Sequence, residues 1–445
     1  MKETELKQQM KELWKANFHD SDEYIDLVFD AYFDPEYIEY EEKDGRVIAS
    51  VLAIPYTFGN DNYTINSLYL CGLSTYNKYR GMGIMTGLMQ RIEERMYRKG
   101  YAFLFLIPAS GGLRRYYNDR GYIDGFYRSP LHYTSLHDFG KDYLSSISMD
   151  DNALFNLKKR YFDGLKTAII DNNDTLYKDN FIIELSEFIK DCECRQRGMA
   201  LFQNTLQIQT FLKETLVSNG KIVVCRNSDG ELAAIGLYSI KDNEIIENGR
   251  YAINYASLCK LRDAILRNGG NRNLTIFLLG SESEQERNSI WSPMFSTILP
   301  GASSVGAIGT IDRVYSPSMN AEVYGMVKIL SISEILKFLT NVRKDLKYSI
   351  LTRLEKEDKI VEFSGKNGQL RERIVDISLS GNLSDVRENK NKKILYIKDE
   401  KGDYRMIMRE RDLGEILFRK PGGDRLIEEA FGLPALNGKI SLLLD

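Results

Sequence analysis

The sequence predicts an α/β (α+β) fold in which mixed sheets are flanked by helices and a further α+β unit closes the chain. Three observations support this prediction. The first third of the chain alternates helix and strand patterns in the order α-α-β-β-β-α-β-α-β. A similar strand-turn-strand, helix and strand series begins near residue 221. The last part shows hairpin patterns followed by two late helices.

The first elements are two amphipathic helices and a hairpin. Apolar residues recur at helical spacing from Leu6 to Trp14, and Ser21 is predicted to be the N-cap of a second helix. Two strands flank Asp44-Gly45, a pair that tolerates the positive φ of a tight turn. The segment "YTINSLYLCGLST" follows as a long strand.

The next elements complete one alternating unit and begin another. A helix is predicted from Met82 to Arg98, and the strand "YAFLFLI" and a short helix around "LRRYYNDR" come after it. Further along, Asp229-Gly230 separates two strands just as Asp44-Gly45 does. The helix "YASLCKLRDAILRN" and the strand "NLTIFLLG" then repeat the earlier order.

Composition restricts the classes of function. The net charge is −3 and basic residues are interspersed with acids, so we expect no nucleic-acid partner. The longest apolar stretch is far too short to cross a bilayer, and the charged N-terminal segment is unlike a leader, so we expect a cytoplasmic protein with no membrane partner. Three histidines and five scattered cysteines leave little from which to build a metal centre, and no metal is expected.

The segment "YRGMGIMTGLM" carries the strongest functional signal. A strand end that leads through glycines into a helix presents free N–H groups and the positive end of the helix dipole, an arrangement that binds phosphate. Gly81 and Gly83 let the main chain approach an anion, and Arg80 adds charge or braces the loop. The segment is neither a Walker P-loop nor a dinucleotide fingerprint. The alternative interpretation is that both glycines only shape a strand-to-helix turn.

In this context the residues Arg80-Gly81-Met82-Gly83-Ile84-Met85 resemble the R/Q-x-x-G-x-G/A signature of the GCN5-related N-acetyltransferase (GNAT) family. That signature holds the pyrophosphate of acetyl-CoA, so the resemblance implies cofactor contacts from these six residues and Thr86. Met85 replaces the usual small residue, as in the enhanced-intracellular-survival subgroup. The segment from Tyr117 to Tyr122 is similar to the family's "YxRFGY", with Arg120 in place of Phe.

The resemblance to this subgroup also implies three domains. Residues 1–150 would be the catalytic acetyl-CoA-binding domain. Residues 151–320 would be a degenerate GNAT-like domain, because no R-x-x-G-x-G precedes its helix. Residues 321–445, beginning at "EVYGMVKILSISEILKFL", would form a domain that resembles a sterol carrier protein. The subgroup also implies a homo-oligomer.

The same resemblance implies roles in acetyl transfer to an amine. Tyr117 occupies the position of the acid that protonates the departing thiolate. The chain's C-terminal carboxylate, here Asp445, would act as base. Main-chain N–H groups at three residues would polarise the thioester oxygen: Leu73, Ser74 and Thr75.

Three functions remain open at this level. The first is an acetyl-CoA-dependent N-acetyltransferase acting on a small-molecule or lysine-like primary amine. The second is an acyl-CoA sensor whose catalytic residues have drifted, and the third is an apolar-ligand carrier acting through the C-terminal domain. The acidic segment from Asp20 to Asp44 either rims a pocket for cationic amines or is a solvated helix face.

Overall fold

The structure is a computed structural model. It describes residues 2–60, 63–147, 152–194, 200–279, 321–375, 387–389, 394–398 and 404–420, together with Leu433 and Leu436. Asp445 lies outside the described residues.

Helices occur in both the first and the later parts of the chain. In chain order they are α1 (Glu3–Phe18), α2 (Asp22–Tyr32), α3 (Ile84–Arg98), α4 (Gly111–Asn118), α5 (Phe139–Ser145), α6 (Asn152–Gly164), α7 (Asn173–Tyr177), α8 (Phe181–Cys194), α9 (Thr205–Val217), α10 (Tyr255–Asn268), α11 (Ile332–Val342) and α12 (Glu410–Leu417).

The strands form two sheets. In chain order they are β1 (Ile38–Lys43), β2 (Arg46–Asn60), β3 (Tyr63–Thr75), β4 (Phe103–Leu106), β5 (Ile123–Tyr133), β6 (Lys166–Ile170), β7 (Ala200–Phe202), β8 (Lys221–Arg226), β9 (Leu232–Lys241), β10 (Glu244–Ala252), β11 (Leu274–Leu279), β12 (Glu322–Ile329), β13 (Tyr348–Leu354), β14 (Lys359–Lys366), β15 (Gln369–Val375), β16 (Arg387–Asn389), β17 (Ile394–Lys398) and β18 (Tyr404–Arg409).

The local predictions for the first elements are confirmed. The Ser21 side chain accepts a hydrogen bond from the backbone N–H of Tyr24 and caps α2. Asp44 and Gly45 have φ values of 53° and 76°, and they join β1 to β2 in the expected hairpin. The order of helices and strands from α1 to β5 is the predicted one, and the α/β fold class is confirmed.

One large mixed sheet runs through the first two predicted domains. Its order is β1-β2-β3-β4-β12-β5-β11-β10-β9-β8-β6, and β7 pairs with β2. Within it, β3 and β4 are parallel neighbours joined by α3, and β10 and β11 are parallel neighbours joined by α10. The sheet therefore contains the same strand-helix-strand unit twice, as the sequence repeat predicts.

The strand β12 occupies a place that its position in the sequence does not suggest. It lies between β4 and β5 and is antiparallel to both, so the first strand after residue 321 completes the sheet of the N-terminal unit. The helix α11 follows it and packs against β3. The boundaries of the three domains themselves stay a prediction.

The faces of the N-terminal part of the sheet are covered by different helices. Buried residues of α3, together with Tyr117 and Tyr122, form the core on one face. Buried residues of α1, α2 and α11 form a core that continues into the C-terminal unit. That unit contains a second sheet in the order β15-β14-β13-β18-β17-β16. The helix α3 and Tyr117 of α4 therefore lie on the face of the sheet opposite α1 and α2.

The acidic segment is used for ion pairs between elements. Asp22, Asp26 and Asp30 on α2 each pair with a lysine of α1, at nitrogen-to-oxygen distances between 2.5 and 2.8 Å. Further along, Glu39 pairs with Arg91 and Arg95 on α3. These contacts favour the interpretation of a solvated helix face for the α2 acids. No helix among the described residues has the length and apolar character needed to cross a membrane.

Candidate active site

The start of α3 is open and is not capped by a side chain. Gly81 and Gly83 have φ values of 78° and 77°, in the left-handed region that favours glycine. Gly83 is the N-cap, so α3 begins at Ile84, two residues later than predicted. A Cβ atom added at either glycine would meet nothing within 4 Å, and the intervening Met82 is 66% exposed. The first turn of α3, which includes Met85 and Thr86, thus has no side-chain cap and follows a loop with open space at both glycines, an arrangement suited to binding an anion.

The Arg80 side chain holds the start of this loop in place. Its Nε donates to the carbonyl oxygen of Thr75 at 3.2 Å, and its Nη2 donates to Oδ1 of Asn17 at 2.6 Å. The guanidinium thus ties the end of β3 to α1 and fixes the direction in which the chain enters the glycine loop. Of the two roles that the sequence allows for Arg80, these contacts show the bracing one.

The last part of β3 extends beyond its pairing with β4. Parallel pairing between them ends at Tyr69 and Phe105, although β3 continues to Thr75. On its other side β3 stays paired with β2, with a β-bulge at Gly72 and Leu73 between the pairs Leu52–Cys71 and Ser50–Ser74. Beyond Tyr69, the side of β3 that faced β4 has no strand partner among the described residues, because β4 ends at Leu106.

Gly72 is required at the bulge for two reasons. Its φ is +57°, and a Cβ atom there would lie 2.1 Å from the Trp14 ring. Trp14 of α1 therefore packs directly on the bulge next to Leu73. Together with the hydrogen bond between Asn17 and Arg80, this contact holds the end of β3 against α1. The sequence predicts Trp14 only as an apolar residue of the first helix and gives no signal for Asn17, because a helix contact with a distant strand leaves no local pattern.

Tyr117 lies on α4 and is buried beside other aromatic rings. Its ring centroid is 5.3 Å from that of Tyr116 and 5.8 Å from that of Tyr122. Burial, with a smaller effect of the neighbouring Tyr116, raises the pKa of the Tyr117 phenol to about 12, although the charge of Arg120 opposes this shift. The phenol is therefore protonated across the neutral range and is able to donate a hydrogen bond.

Arg120, the departure from the family pattern, joins α4 to α3. Its Nε donates to Oγ1 of Thr86 at 2.9 Å and its Nη1 donates to the carbonyl oxygen of Tyr116 at 2.7 Å. The guanidinium carbon lies 3.4 Å from the centre of the Tyr116 ring, which is cation–π geometry. A positive charge is thus held beside the first turn of α3, where a phenylalanine would place none.

The strand β12 supports this turn. Lys328 Nζ donates to the carbonyl oxygen of Arg120 at 2.6 Å. A Cβ atom at Gly121, whose φ is +84°, would lie 2.5 Å from that same Nζ, so glycine makes room for the lysine. The motif that ends at Tyr122 is therefore shaped by a residue more than 200 positions away in the chain.

The repeated unit in the second half lacks these features. The start of α10 is closed by a capping box, in which the Asn254 side chain accepts from the N–H of Ser257 at 2.9 Å and Ser257 Oγ accepts from the N–H of Asn254 at 3.3 Å. A helix whose first-turn donors are satisfied by its own side chains is a poor anion site. Of the two equivalent helices, only α3 offers an open N-terminus.

The fold and this site define a class: an α/β domain in which two parallel strands, β3 and β4, are joined through a glycine loop and a helix with an uncapped N-terminus. Residues 1–123 match the model of the acetyltransferase (GNAT) domain, so the N-terminal part of the chain carries a GNAT acetyltransferase domain. No curated protein matches the sequence.

Several solved structures share the fold over most of the chain. A GCN5-related N-acetyltransferase from Kribbella flavida is 14% identical with a TM-score of 0.60, covering 100% of this chain and 97% of that one. A probable N-acyltransferase of unknown function from Enterococcus faecalis is 12% identical with a TM-score of 0.56, covering 84% of each chain. Eis1 from Mycobacterium abscessus is 10% identical with a TM-score of 0.54, covering 97% of this chain and 91% of that one. At these identities the likeness concerns the fold.

Proposed function

We propose that this protein is an acetyl-CoA-dependent N-acetyltransferase that transfers acetyl to a primary amine by direct transfer in a ternary complex. The observation that carries the proposal is the contrast between α3 and α10. The α3 N-terminus has glycines in the left-handed region, no side-chain cap and open space. The α10 N-terminus is closed by Asn254 and Ser257. One pyrophosphate cradle per chain fits this contrast.

The residues at the start of α3 and at the end of β3 fit the cofactor. Backbone N–H groups after Gly81 and Gly83 suit a pyrophosphate, and Arg120 adds a charge beside them. Bound there, acetyl-CoA supplies a thioester whose acyl carbon is attacked by the amine. The end of β3, from Leu73 to Thr75, provides main-chain donors for the carbonyl oxygen of the thioester. Tyr117 donates to the sulfur as the carbon–sulfur bond breaks. The proton from Tyr117 ends on the CoA thiol, and the proton that the attacking nitrogen loses restores the Tyr117 phenol, so that the products are the amide and free CoA.

An alkylamine needs to lose a proton before or during attack, since its pKa is about 10.4 when it resembles lysine. Asp445 as the base remains a proposal based on the family resemblance. A small-molecule or lysine-like amine as the acceptor, a sterol-carrier-like role for the C-terminal unit, a cytoplasmic location and a homo-oligomer are proposed on the same ground. Sedimentation that shows only a monomer at working concentration would contradict the last of these.

The test is release of CoA from acetyl-CoA, followed by chromatography, with aminoglycosides, polyamines and lysine peptides as acceptors. Turnover with one class establishes the transferase and the acceptor type together. Binding of acetyl-CoA without turnover in any class would favour the sensor function instead.

The Tyr117→Phe variant tests the acid. We expect kcat to fall by about 10²-fold, in the range of general acid catalysis, with KM for acetyl-CoA little changed. Tyr143→Phe, which removes a buried phenol of α5 in a different core cluster from Tyr117, is the matched control and should keep the full rate. Equal rates for the two variants would remove Tyr117 from the mechanism.

A further inference from the structure

The proposed reaction releases a proton that has to leave the site. An alkylamine with a pKa of about 10.4 is almost entirely an ammonium ion at neutral pH. Its reaction with acetyl-CoA gives the acetamide, free CoA and one proton. The nitrogen loses two protons in forming the amide, and the sulfur takes up one of them as the carbon–sulfur bond breaks. The protein therefore needs a route by which the other proton reaches solvent.

Tyr122 lies next to the proposed acid and is completely buried. Its ring centroid is 5.8 Å from that of Tyr117, and its exposed fraction is 0%. Within the part of the chain that the structure describes, the Tyr122 hydroxyl makes no hydrogen bond. A buried polar group without a partner costs about 1–3 kcal/mol, so this hydroxyl is not there for stability. It is available to accept one proton while it gives up its own.

Glu93 of α3 supplies a carboxylate on the far side of Tyr122. Lys328 Nζ lies 3.9 Å from Glu93 Oε2 and donates to the carbonyl oxygen of Arg120, two residues before Tyr122. Burial, with smaller effects of the Glu93 charge and of Tyr117, raises the pKa of the Tyr122 phenol well above its usual value. The phenol therefore stays neutral, and it can pass a proton on only by exchanging one for another.

The surroundings of Glu93 suit a carboxylate that takes up and releases a proton. Its side chain is 13% exposed. Burial raises its pKa above the ordinary value, and the charge of Glu94 on the same helix adds to the shift. Lys328 of β12, Lys356 in the turn after β13 and the Tyr122 hydroxyl oppose it. A raised pKa brings the carboxyl closer to neutral pH, where a proton acceptor works best.

Glu93 also lines a cavity of about 800 Å³ between the N-terminal unit and the C-terminal unit. Most of the residues that line this cavity are charged or polar, and they come from α3, β12 and the C-terminal unit. One water takes up about 30 Å³ in the liquid, so the cavity has room for many waters. Glu93 thus lies between a buried phenol and a space in which water can take its proton.

We propose that Tyr122 and Glu93 relay the excess proton of the acceptor amine from Tyr117 to this cavity. The inference rests on the proposed function. The ammonium nitrogen gives a proton to the Tyr117 hydroxyl as Tyr117 passes its own proton to Tyr122, and Tyr122 in turn protonates the Glu93 carboxylate. Each transfer takes place through a hydrogen bond or one bridging water. The neutral amine then attacks the thioester while Tyr117 is protonated, and Glu93 returns its proton to water in the cavity.

The experiment measures kcat by CoA release at pH 7 and pH 9, with the alkylamine that turns over fastest among aminoglycosides, polyamines and lysine peptides. We expect kcat of Glu93→Gln to be about tenfold or more below that of the unaltered protein at pH 7. The deficit should shrink towards pH 9, because a growing fraction of the amine is then neutral before it binds. Tyr122→Phe, which keeps the ring, should show the same closing deficit. Glu94→Gln, at a neighbouring side chain that is 68% exposed, is the control and should match the unaltered protein at both pH values.

The outcomes separate this inference from the proposed function. A deficit of the same size at both pH values would show that Glu93 and Tyr122 have only a structural role, and it would overturn the relay. Full activity of both variants would overturn it too and would leave Asp445 as the candidate base. Absence of turnover in the unaltered protein with every acceptor would overturn the proposed function and the relay together. Because each variant is compared with itself at two pH values, a smaller folded fraction cannot imitate a deficit that closes.

Discussion

Arg120 Nε donates to Thr86 Oγ1 at 2.9 Å, and this bond links the end of α4 to the first turn of α3. The two residues belong to the two separate sequence motifs that resemble a GNAT domain. Their contact makes one site from both motifs, since it places a guanidinium next to the amides of α3.

Replacing Arg120 should therefore weaken cofactor binding. In Arg120→Gln the hydrogen bonds and the charge beside α3 are lost, and charge-assisted bonds contribute about 1.5–3 kcal/mol each. We expect the Kd for acetyl-CoA to rise about tenfold or more, which corresponds to about 1.4 kcal/mol or more. Arg115→Gln changes an exposed arginine of α4, the helix just before Arg120, and should leave the Kd unchanged. Equal Kd values for the two variants would show that Arg120 has only a structural role.

Substitution by alanine should change the stability of the protein in opposite directions at Gly83 and Gly87, two glycines near the start of α3. Gly83→Ala forces a Cβ into a residue with φ of 77°, at a cost of about 1–2 kcal/mol, and it should also weaken acetyl-CoA binding. Gly87 lies inside the helix with open space around it, so Gly87→Ala should raise stability by about 0.5–1 kcal/mol. Thermal unfolding measures the change in stability of each variant. A loss of stability in Gly87→Ala would show that this position is not an ordinary helix interior.

Local signals in the sequence predicted much of the fold and part of the site. The Ser21 cap, the Asp44-Gly45 turn and the glycine loop all depend on residues within a few positions of one another. The start of α3 was placed two residues early because the helical periodicity does not reveal the φ of Gly83.

Contacts between distant segments could not be predicted in this way. The insertion of β12 between β4 and β5, and with it the Lys328 contact to Arg120, depends on pairing across about 200 residues. Trp14 on Gly72 has the same origin. Periodicity reports which face of an element is apolar, but it does not identify the partner of that face.

The closed N-terminus of α10 predicts one cofactor site per chain. Titration calorimetry should give a stoichiometry of one acetyl-CoA. Asn254→Ala removes the side-chain cap and should lower stability by about 1 kcal/mol without changing that stoichiometry. A second binding event in the unaltered protein would contradict the assignment of the second unit as non-binding.

Glu410 predicts a pH-dependent contribution to stability. It lies in the first turn of α12, and its carboxylate accepts from the N–H of Glu355 at 3.3 Å. Its pKa is raised from 4.5 to about 7, mainly by burial and with smaller effects of the Glu355 and Glu357 charges, whereas the backbone hydrogen bond and Lys356 oppose the shift. Because the folded state holds this proton more tightly than the unfolded state, the favourable contribution is complete below about pH 4.5 and is lost as the pH rises through 7.

The Glu410→Gln variant keeps an uncharged side chain of the same shape at every pH, and so it isolates this contribution. At pH 5 its melting temperature should match that of the unaltered protein. At pH 8 it should be higher by a few degrees, on the order of 1 kcal/mol after solvent screening is allowed for. Glu94→Gln, at a side chain that is 68% exposed, is the control and should show no such widening between pH 5 and pH 8. A constant difference at both pH values would mean that Glu410 is already ionised at pH 5.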